Sequence, residues 1–183
     1  MFYRNPYIPL QGGSVSAVVR AARSEDAASI AAIYNHAVLN TTATFDTEVK
    51  SAENRAAWLT DRSKQHPVIV AEKDGVVVGW GAFLPYSDRC SYISTVEMSV
   101  YIDPAHVRSG LGGMLSRQLL DMAPGIGVHN ILSRICSENV ASLAMAERLG
   151  FTTVGTLHEV GRKFDRWLDV VMLEFITEPS QTV

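Results

Sequence analysis

The chain has 183 residues, 47% of them hydrophobic, which is enough for one sizeable core and too few for two. A net charge of −3, with 16 Lys and Arg scattered along the sequence, argues against a nucleic-acid or anionic-membrane binder and leaves a small molecule as the expected partner. Cys90 and Cys136 lie outside any CxxC or zinc-spaced cluster, no apolar run nears the roughly 20 residues that span a bilayer, and the N-terminus lacks a signal-peptide pattern, so a cytoplasmic protein with reduced thiols is expected.

Residues 1–17 contain two prolines and a Gly-Gly pair without periodicity and read as an N-terminal extension. Val18–Ala22 is a first strand. Ser24, Glu25 and Asp26 form a helix start, with a capping hydroxyl and acids at the positive end of the dipole, and apolar residues at helical spacing carry that helix to about Val38. A threonine-rich loop, Thr41–Thr47, precedes a second helix over Ala52–Ser63. Val68–Glu72 and Val76–Leu84 form a hairpin around Lys73, Asp74 and Gly75. Pro85–Ser94 is a polar loop and Thr95–Ile102 a strand. A glycine turn then leads into a helix over Gly110–Met122, followed by a strand over Ile131–Cys136, a helix over Val140–Leu149, and strands over Thr152–Val160 and Trp167–Phe175. The order βααβββαβαββ predicts a mixed α/β sheet in one domain over residues 18–177, with 178–183 as a tail.

The stretch Arg108-Ser109-Gly110-Leu111-Gly112-Gly113 lies between a strand and a helix, where unpaired N–H groups and the helix dipole attract an anion such as a pyrophosphate. It is neither a Walker loop nor a dinucleotide fingerprint, and locally it also fits a tight turn packing a helix on a sheet. Glu97 is the second unusual feature, a carboxylate inside the β-forming run Thr95–Ile102. Period-two alternation puts it on one face with Ser99 and Tyr101, and from spacing alone an ordinary solvent-facing position is preferred over a functional one. The five histidines are dispersed, and no metal is expected.

Val107-Arg108-Ser109-Gly110-Leu111-Gly112 resembles the coenzyme A signature Arg/Gln-x-x-Gly-x-Gly/Ala of the GCN5-related N-acetyltransferases, with Val107 departing at the first position. Asn139 with Ser142, and the closing Leu149-Gly150-Phe151, extend the likeness. Within that family the chain is similar to the phosphinothricin and methionine sulfone/sulfoximine N-acetyltransferases, through Ile33–Val38, Thr44–Glu48 and Val160–Asp169.

The resemblance implies a single-domain fold with a mixed, mostly antiparallel sheet flanked by helices, acetyl-CoA as co-substrate, and a homodimer. It implies cofactor contacts from Val100, Tyr101 and Ile102, from Arg108, Ser109, Gly110, Leu111, Gly112 and Gly113, and from Asn139 and Ser142; Asn139 is equally a helix N-cap. It makes Glu97 the general base for an acceptor ammonium, which has no lone pair until it loses a proton; partial burial would move a carboxylate's proton affinity in the useful direction. A backbone N–H near Met98 is the expected donor to the developing oxyanion. Acceptor contacts are expected from Arg89 and Tyr92, with Arg89 as a carboxylate clamp, and from Phe45 and Lys163. A solvated loop for Arg89, a core anchor for Phe45 and a surface hairpin for Lys163 fit their local sequence as well. Seven residues beyond Asn139, where many relatives carry a tyrosine or histidine as general acid, this chain has Ala146. The expected function is N-acetylation of a small amino acid or analogue. The alternatives are acetylation of a polyamine or a protein N-terminus, or a non-catalytic acyl-CoA-binding module.

Overall fold

The computed structural model describes residues 17–177, so the expected extension, Ala17 apart, and the tail over 178–183 lie outside the described residues. Strands β1 (Val18–Ala21), β2 (Val68–Lys73), β3 (Val76–Pro85), β4 (Thr95–Ile102), β5 (Asn130–Cys136), β6 (Thr152–Lys163) and β7 (Arg166–Ile176) form one sheet in the order β1-β2-β3-β4-β5-β7-β6. Every neighbouring pair is antiparallel except β4 and β5, which are parallel because the helix α3 (Leu111–Met122) carries the chain back between them. Three further helices, α1 (Ala27–Asn40), α2 (Ala52–Thr60) and α4 (Val140–Arg148), complete the α/β fold expected from the element order.

Strand alternation divides the core between two faces. Val96 and Met98 of β4 join Phe83, Leu111, Leu115, Leu119 and Ile131 in the cluster around α3. On the opposite face Val70, Trp80 and Ala82 pack with Ile30, Ile33, Tyr34 and Val38 of α1. A fully buried leucine such as Leu115 contributes about 1.5–3 kcal/mol through burial alone. Tyr101 contacts this second cluster, so the face of β4 that carries Glu97 and Ser99 is the face toward α1.

The β2–β3 hairpin turns on Asp74 and Gly75, at φ 51° and 79°, as a two-residue turn of that composition should. Ser51 caps α2, its Oγ accepting the Asn54 N–H at 3.1 Å. The start of α1 differs from expectation: Ser24–Asp26 is a short 3₁₀ turn and α1 begins at Ala27. Asp26, not Ser24, supplies the cap, with Oδ2 accepting the Arg23 N–H at 2.7 Å while both carboxylate oxygens take the Arg20 guanidinium at 2.7 and 2.8 Å. Arg20 also bonds Glu72 of β2 at 2.6 Å, and an ionised cap tied into the sheet outcompetes a lone hydroxyl. The last two strands run longer than expected and meet at Phe164 and Asp165, both at positive φ (51° and 58°), where the sequence offers no glycine to announce the turn. Among the described residues no helix is long and apolar enough to cross a membrane.

Candidate active site

The site originates in an interruption of sheet pairing. β4 and β5 are in register only at Thr95↔Asn130, Val96↔Ile131 and Glu97↔Leu132. Beyond Glu97, β4 stays with β3 to Ile102 while β5 stays with β7 to Cys136, so the two strands part and the β5-facing peptide groups of β4 from Met98 onward lose their strand partner. A cavity of about 520 Å³ fills the divergence, with Glu97 to Tyr101 on one wall, Ser133 to Cys136 on the other, and Asn139, Ser142 and Met145 lining it from α4.

None of the predicted contacts Arg108, Ser109, Gly110, Leu111, Gly112 and Gly113 lines this cavity; the turn approaches it through Gly112, whose neighbour Met145 does. Gly110 is the N-cap of α3 at φ 87°, Arg108 precedes it at φ 61°, and the Ser109 hydroxyl donates to His106 O at 2.5 Å. The left-handed conformation at Gly110 lets the chain enter α3 with the first-turn N–H groups unpaired and directed outward, which is the arrangement that holds a pyrophosphate. A Cβ on Gly112 would stand 3.2 Å from the Met145 sulfur, so that glycine lets α3 and α4 approach one another beside the cavity. Asn139 caps α4, its Oδ1 accepting the Ser142 N–H at 3.2 Å, and also lines the cavity. These features fit a pantetheine pyrophosphate carrier lying along the divergence with its phosphates at α3. Val107, 56% exposed, contributes no polar contact at the turn.

Glu97 lines the same cavity with its side chain only 16% exposed. It is paired: Arg134 of β5 donates from Nε to Oε1 at 2.9 Å and from a terminal nitrogen to Oε2 at 2.5 Å. Burial alone, the sequence expectation, therefore does not describe this carboxylate, which is held in a two-pronged, charge-assisted pair. The bond to Glu97 in turn raises the Arg134 pKa, while partial burial opposes the shift. Sequence reasoning missed Arg134, although a lone charge in the apolar run Ile131–Cys136 is the same kind of signal that marked Glu97. The pairing joins residues 37 apart in sequence, which the motif reading could not connect.

Phe45 lines the cavity and sets the Cδ2–Cε2 edge of its ring against Gly161 of β6, whose missing side chain makes room for it. Lys163, expected near the acceptor, is instead buried: its Nζ donates to Thr44 O at 2.7 Å and to Ala37 O at 3.3 Å, pinning the Thr41–Thr47 loop, and burial lowers its pKa. Arg89 and Tyr92 are exposed on the loop before β4 and do not line the cavity. Tyr92 stacks edge-on against Tyr86, with ring centroids 5.4 Å apart. Val100 and Tyr101 line the cavity, whereas Ile102 lies beyond its wall. Tyr101 packs between Tyr34 and Trp80, and burial pushes its phenol well above the ordinary tyrosine range, making it a reluctant proton donor. Ala146 is buried on the cavity wall, so α4 supplies no general acid there. Among the described residues no group of three or more His, Cys, Asp or Glu could hold a metal ion.

A second cavity of about 260 Å³ shares Tyr34, Asp46, Leu84, Ser99 and Tyr101 with the first. Arg55 lies buried beside it, 4.5 Å from the Tyr34 ring centroid and 5.2 Å from that of Trp58, and its Nε has no partner among the described residues.

Comparison with known proteins agrees with this architecture. A family model described as an acetyltransferase (GNAT) domain matches residues 19–172. The chain is 41% identical over 157 residues to the L-amino acid N-acyltransferase MnaT of Escherichia coli (strain K12), covering 85% of this chain and 91% of that protein. It is 40% identical to the L-methionine sulfoximine/L-methionine sulfone acetyltransferase of Salmonella typhimurium, over 85% of this chain and 92% of the relative. The solved structure of yncA, a putative acetyltransferase from Salmonella typhimurium with its cofactor acetyl-CoA, superposes with a TM-score of 0.87 at 37% identity, over 92% of this chain and 98% of that one. With the strand divergence, the glycine turn at α3 and these matches together, the chain belongs to the GNAT family of acetyltransferases.

Proposed function

We propose that this enzyme transfers the acetyl group of acetyl-CoA to the primary amine of a small amino acid or analogue, of the methionine sulfone, methionine sulfoximine or phosphinothricin type, with Glu97 accepting the amine proton. The single observation that carries the reading is the position of Glu97, a mostly buried carboxylate on the wall of the cavity opened by the parting of β4 and β5. Acetyl-CoA supplies an activated thioester. Unpaired first-turn amides of α3, with Arg108 and Ser109 beside them, hold its phosphates, and Asn139 and Ser142 meet its pantetheine arm.

Glu97 removes a proton from the ammonium, directly or through water, and exposes the lone pair for attack. Peptide N–H groups at Met98 and beyond, free on the β5 side, stabilise the charge that develops on the carbonyl oxygen. Phe45 and Leu157 form apolar walls for the acceptor side chain. Arg89 and Tyr92 reach the acceptor only if their loop moves toward the cavity, and Lys163 acts by holding the threonine loop. The sulfone and sulfoximine relatives and the cation inside the cavity favour an amino-acid acceptor over a polyamine.

A homodimer in the cytoplasm is the proposed working form. The edge strand β6 exposes Val154, Leu157 and Val160, an apolar surface that a second copy could cover, and both thiols are unpaired, as in a reducing compartment. An acetylation assay with acetyl-CoA and a panel of amino acids, polyamines and peptides tests the function. Turnover concentrated on small α-amino acids supports the reading. Turnover confined to polyamines or peptides overturns it, and acetyl-CoA binding without turnover on any amine identifies a non-catalytic binding module.

A further inference from the structure

Arg134 is the unexpected group in this site. It projects from β5 into the cavity, keeps 58% of its side chain exposed, and has Glu97 as its one ion-pair partner among the described residues. Both Glu97 oxygens are engaged by the guanidinium, so in the resting site an incoming ammonium meets a carboxylate that is already paired. The α-amino acid zwitterion is the acceptor chemistry that resolves this. Its ammonium and carboxylate are separated by one carbon, the right scale to insert between an acid and a guanidinium that face each other.

We propose that Arg134 is the carboxylate-binding subsite of the acceptor, and that an acceptor carboxylate, by taking the guanidinium from Glu97, frees Glu97 to receive the acceptor's ammonium. The proposal rests on the amino-acid acetyltransferase reading above and adds to it the residue that selects the acceptor. In the bound arrangement charges alternate: Glu97 carboxylate, acceptor ammonium, acceptor carboxylate, Arg134 guanidinium. Both pairs are satisfied, and no charge is left unpartnered in the partly buried cavity. The half-exposed arginine has the freedom to swing, whereas the mostly buried glutamate stays in place.

The chemistry that follows is balanced. The ammonium gives one proton to Glu97, the freed nitrogen forms a bond to the thioester carbonyl carbon, and the carbon–sulfur bond breaks with its electron pair going to sulfur. The nitrogen loses a second proton to become the neutral amide. One of the two protons ends on the coenzyme A thiol and the other in solvent. An amine without a carboxylate has nothing to offer Arg134 and meets a Glu97 that is still tied, so the same residue provides affinity for amino acids and discrimination against simple amines.

The test compares methionine sulfone with the amine that differs from it only in lacking the carboxylate. Steady-state kcat and KM are measured for the wild type, Arg134→Met and Arg134→Lys, with thermal melting of each protein. Removal of a two-pronged charge-assisted contact at a half-exposed position should raise KM for the amino acid about 10- to 100-fold. The simple amine should be acetylated at least as well as by the wild type, because Glu97 is no longer held. The lysine variant, which keeps a charge but loses the fork, should fall between the two, and it carries the test if the methionine variant melts early. An acid-to-amine preference in kcat/KM that is unchanged in both variants overturns the proposal, as does an equal loss on both acceptors, which would mark Arg134 as structural. If the wild type acetylates no α-amino acid, the functional reading fails and takes this inference with it. Robust amino-acid turnover with an unmoved preference sinks the inference alone.

Discussion

Two glycines at the start of α3 should respond to the same substitution with opposite signs. Gly110 sits at φ 87°, and a Cβ added there meets nothing within 4 Å, so Gly110→Ala introduces no clash and its cost is purely conformational. An L-residue in the left-handed region costs about 1–2 kcal/mol relative to one with free choice. For a domain of this size that corresponds to a fall in Tm of about 2–8 °C. Relief of the strain by flipping the turn would misdirect the first-turn amides of α3, so KM for acetyl-CoA should rise about 5- to 20-fold, with a smaller change in kcat at saturation. Gly113 also has open space around its missing Cβ, but it lies inside α3 without a positive φ. Gly113→Ala should therefore stabilise the protein by about 0.5–1 kcal/mol. Differential scanning calorimetry on both variants, with acetyl-CoA titrations, checks the pair. If both substitutions shift Tm in the same direction, or Gly110→Ala leaves both Tm and the acetyl-CoA KM unchanged, the assignment of the turn is wrong.

Asp26→Asn keeps an oxygen to accept the Arg23 N–H but removes half of a partly buried ion-pair network; Arg20 retains Glu72, so the expected loss is about 2–3 kcal/mol, below the range for stripping a buried pair completely. The Asp26 pKa is lowered, chiefly by its bond to Arg20. Its stabilising contribution is thus present above the ordinary Asp value of 3.8 and disappears as pH falls through the lower folded-state value, so the gap in stability between wild type and variant should close only in strong acid, as read by denaturant melts across pH. Lys163→Met leaves the carbonyl of Thr44 short of a donor, while Ala37 O keeps the Thr41 N–H and hydroxyl, and it removes a buried charge. The net destabilisation should be about 1–2 kcal/mol, and KM for the acceptor should rise with KM for acetyl-CoA unchanged, because the loop it anchors carries Phe45 and not the phosphate site.

Local patterns in the sequence carried the fold. Alternation in Thr95–Ile102 correctly put Glu97, Ser99 and Tyr101 on one face, the Asp74-Gly75 turn set the β2–β3 hairpin, and the glycine turn and Asn139 fell at the two helix starts that border the cavity. Long-range relations were not legible. The partner of Glu97 comes from a strand on the far side of a helical crossover, and the cavity exists because pairing stops after Leu132, which no local propensity encodes. Lys163 looked like a hairpin charge because its two acceptors are backbone carbonyls more than a hundred residues away. The cap at Ser24 was misjudged because Arg20, held on β1, gives Asp26 a stronger claim to the helix start. The turn puts Phe164 at backbone angles that a bulky residue does not favour, with Asp165 at ones it tolerates, and the pairing of β6 with β7 holds Phe164 there.

The central claim is that Glu97 takes the acceptor proton in a site whose cofactor grip lies elsewhere, and the most direct measurement is Glu97→Gln. Paired single-turnover and acetyl-CoA binding measurements should give a rate of acetyl transfer reduced about 10²- to 10⁴-fold, with the dissociation constant for acetyl-CoA within about threefold of the wild type. An undiminished transfer rate in that variant would contradict the account, whatever the binding result.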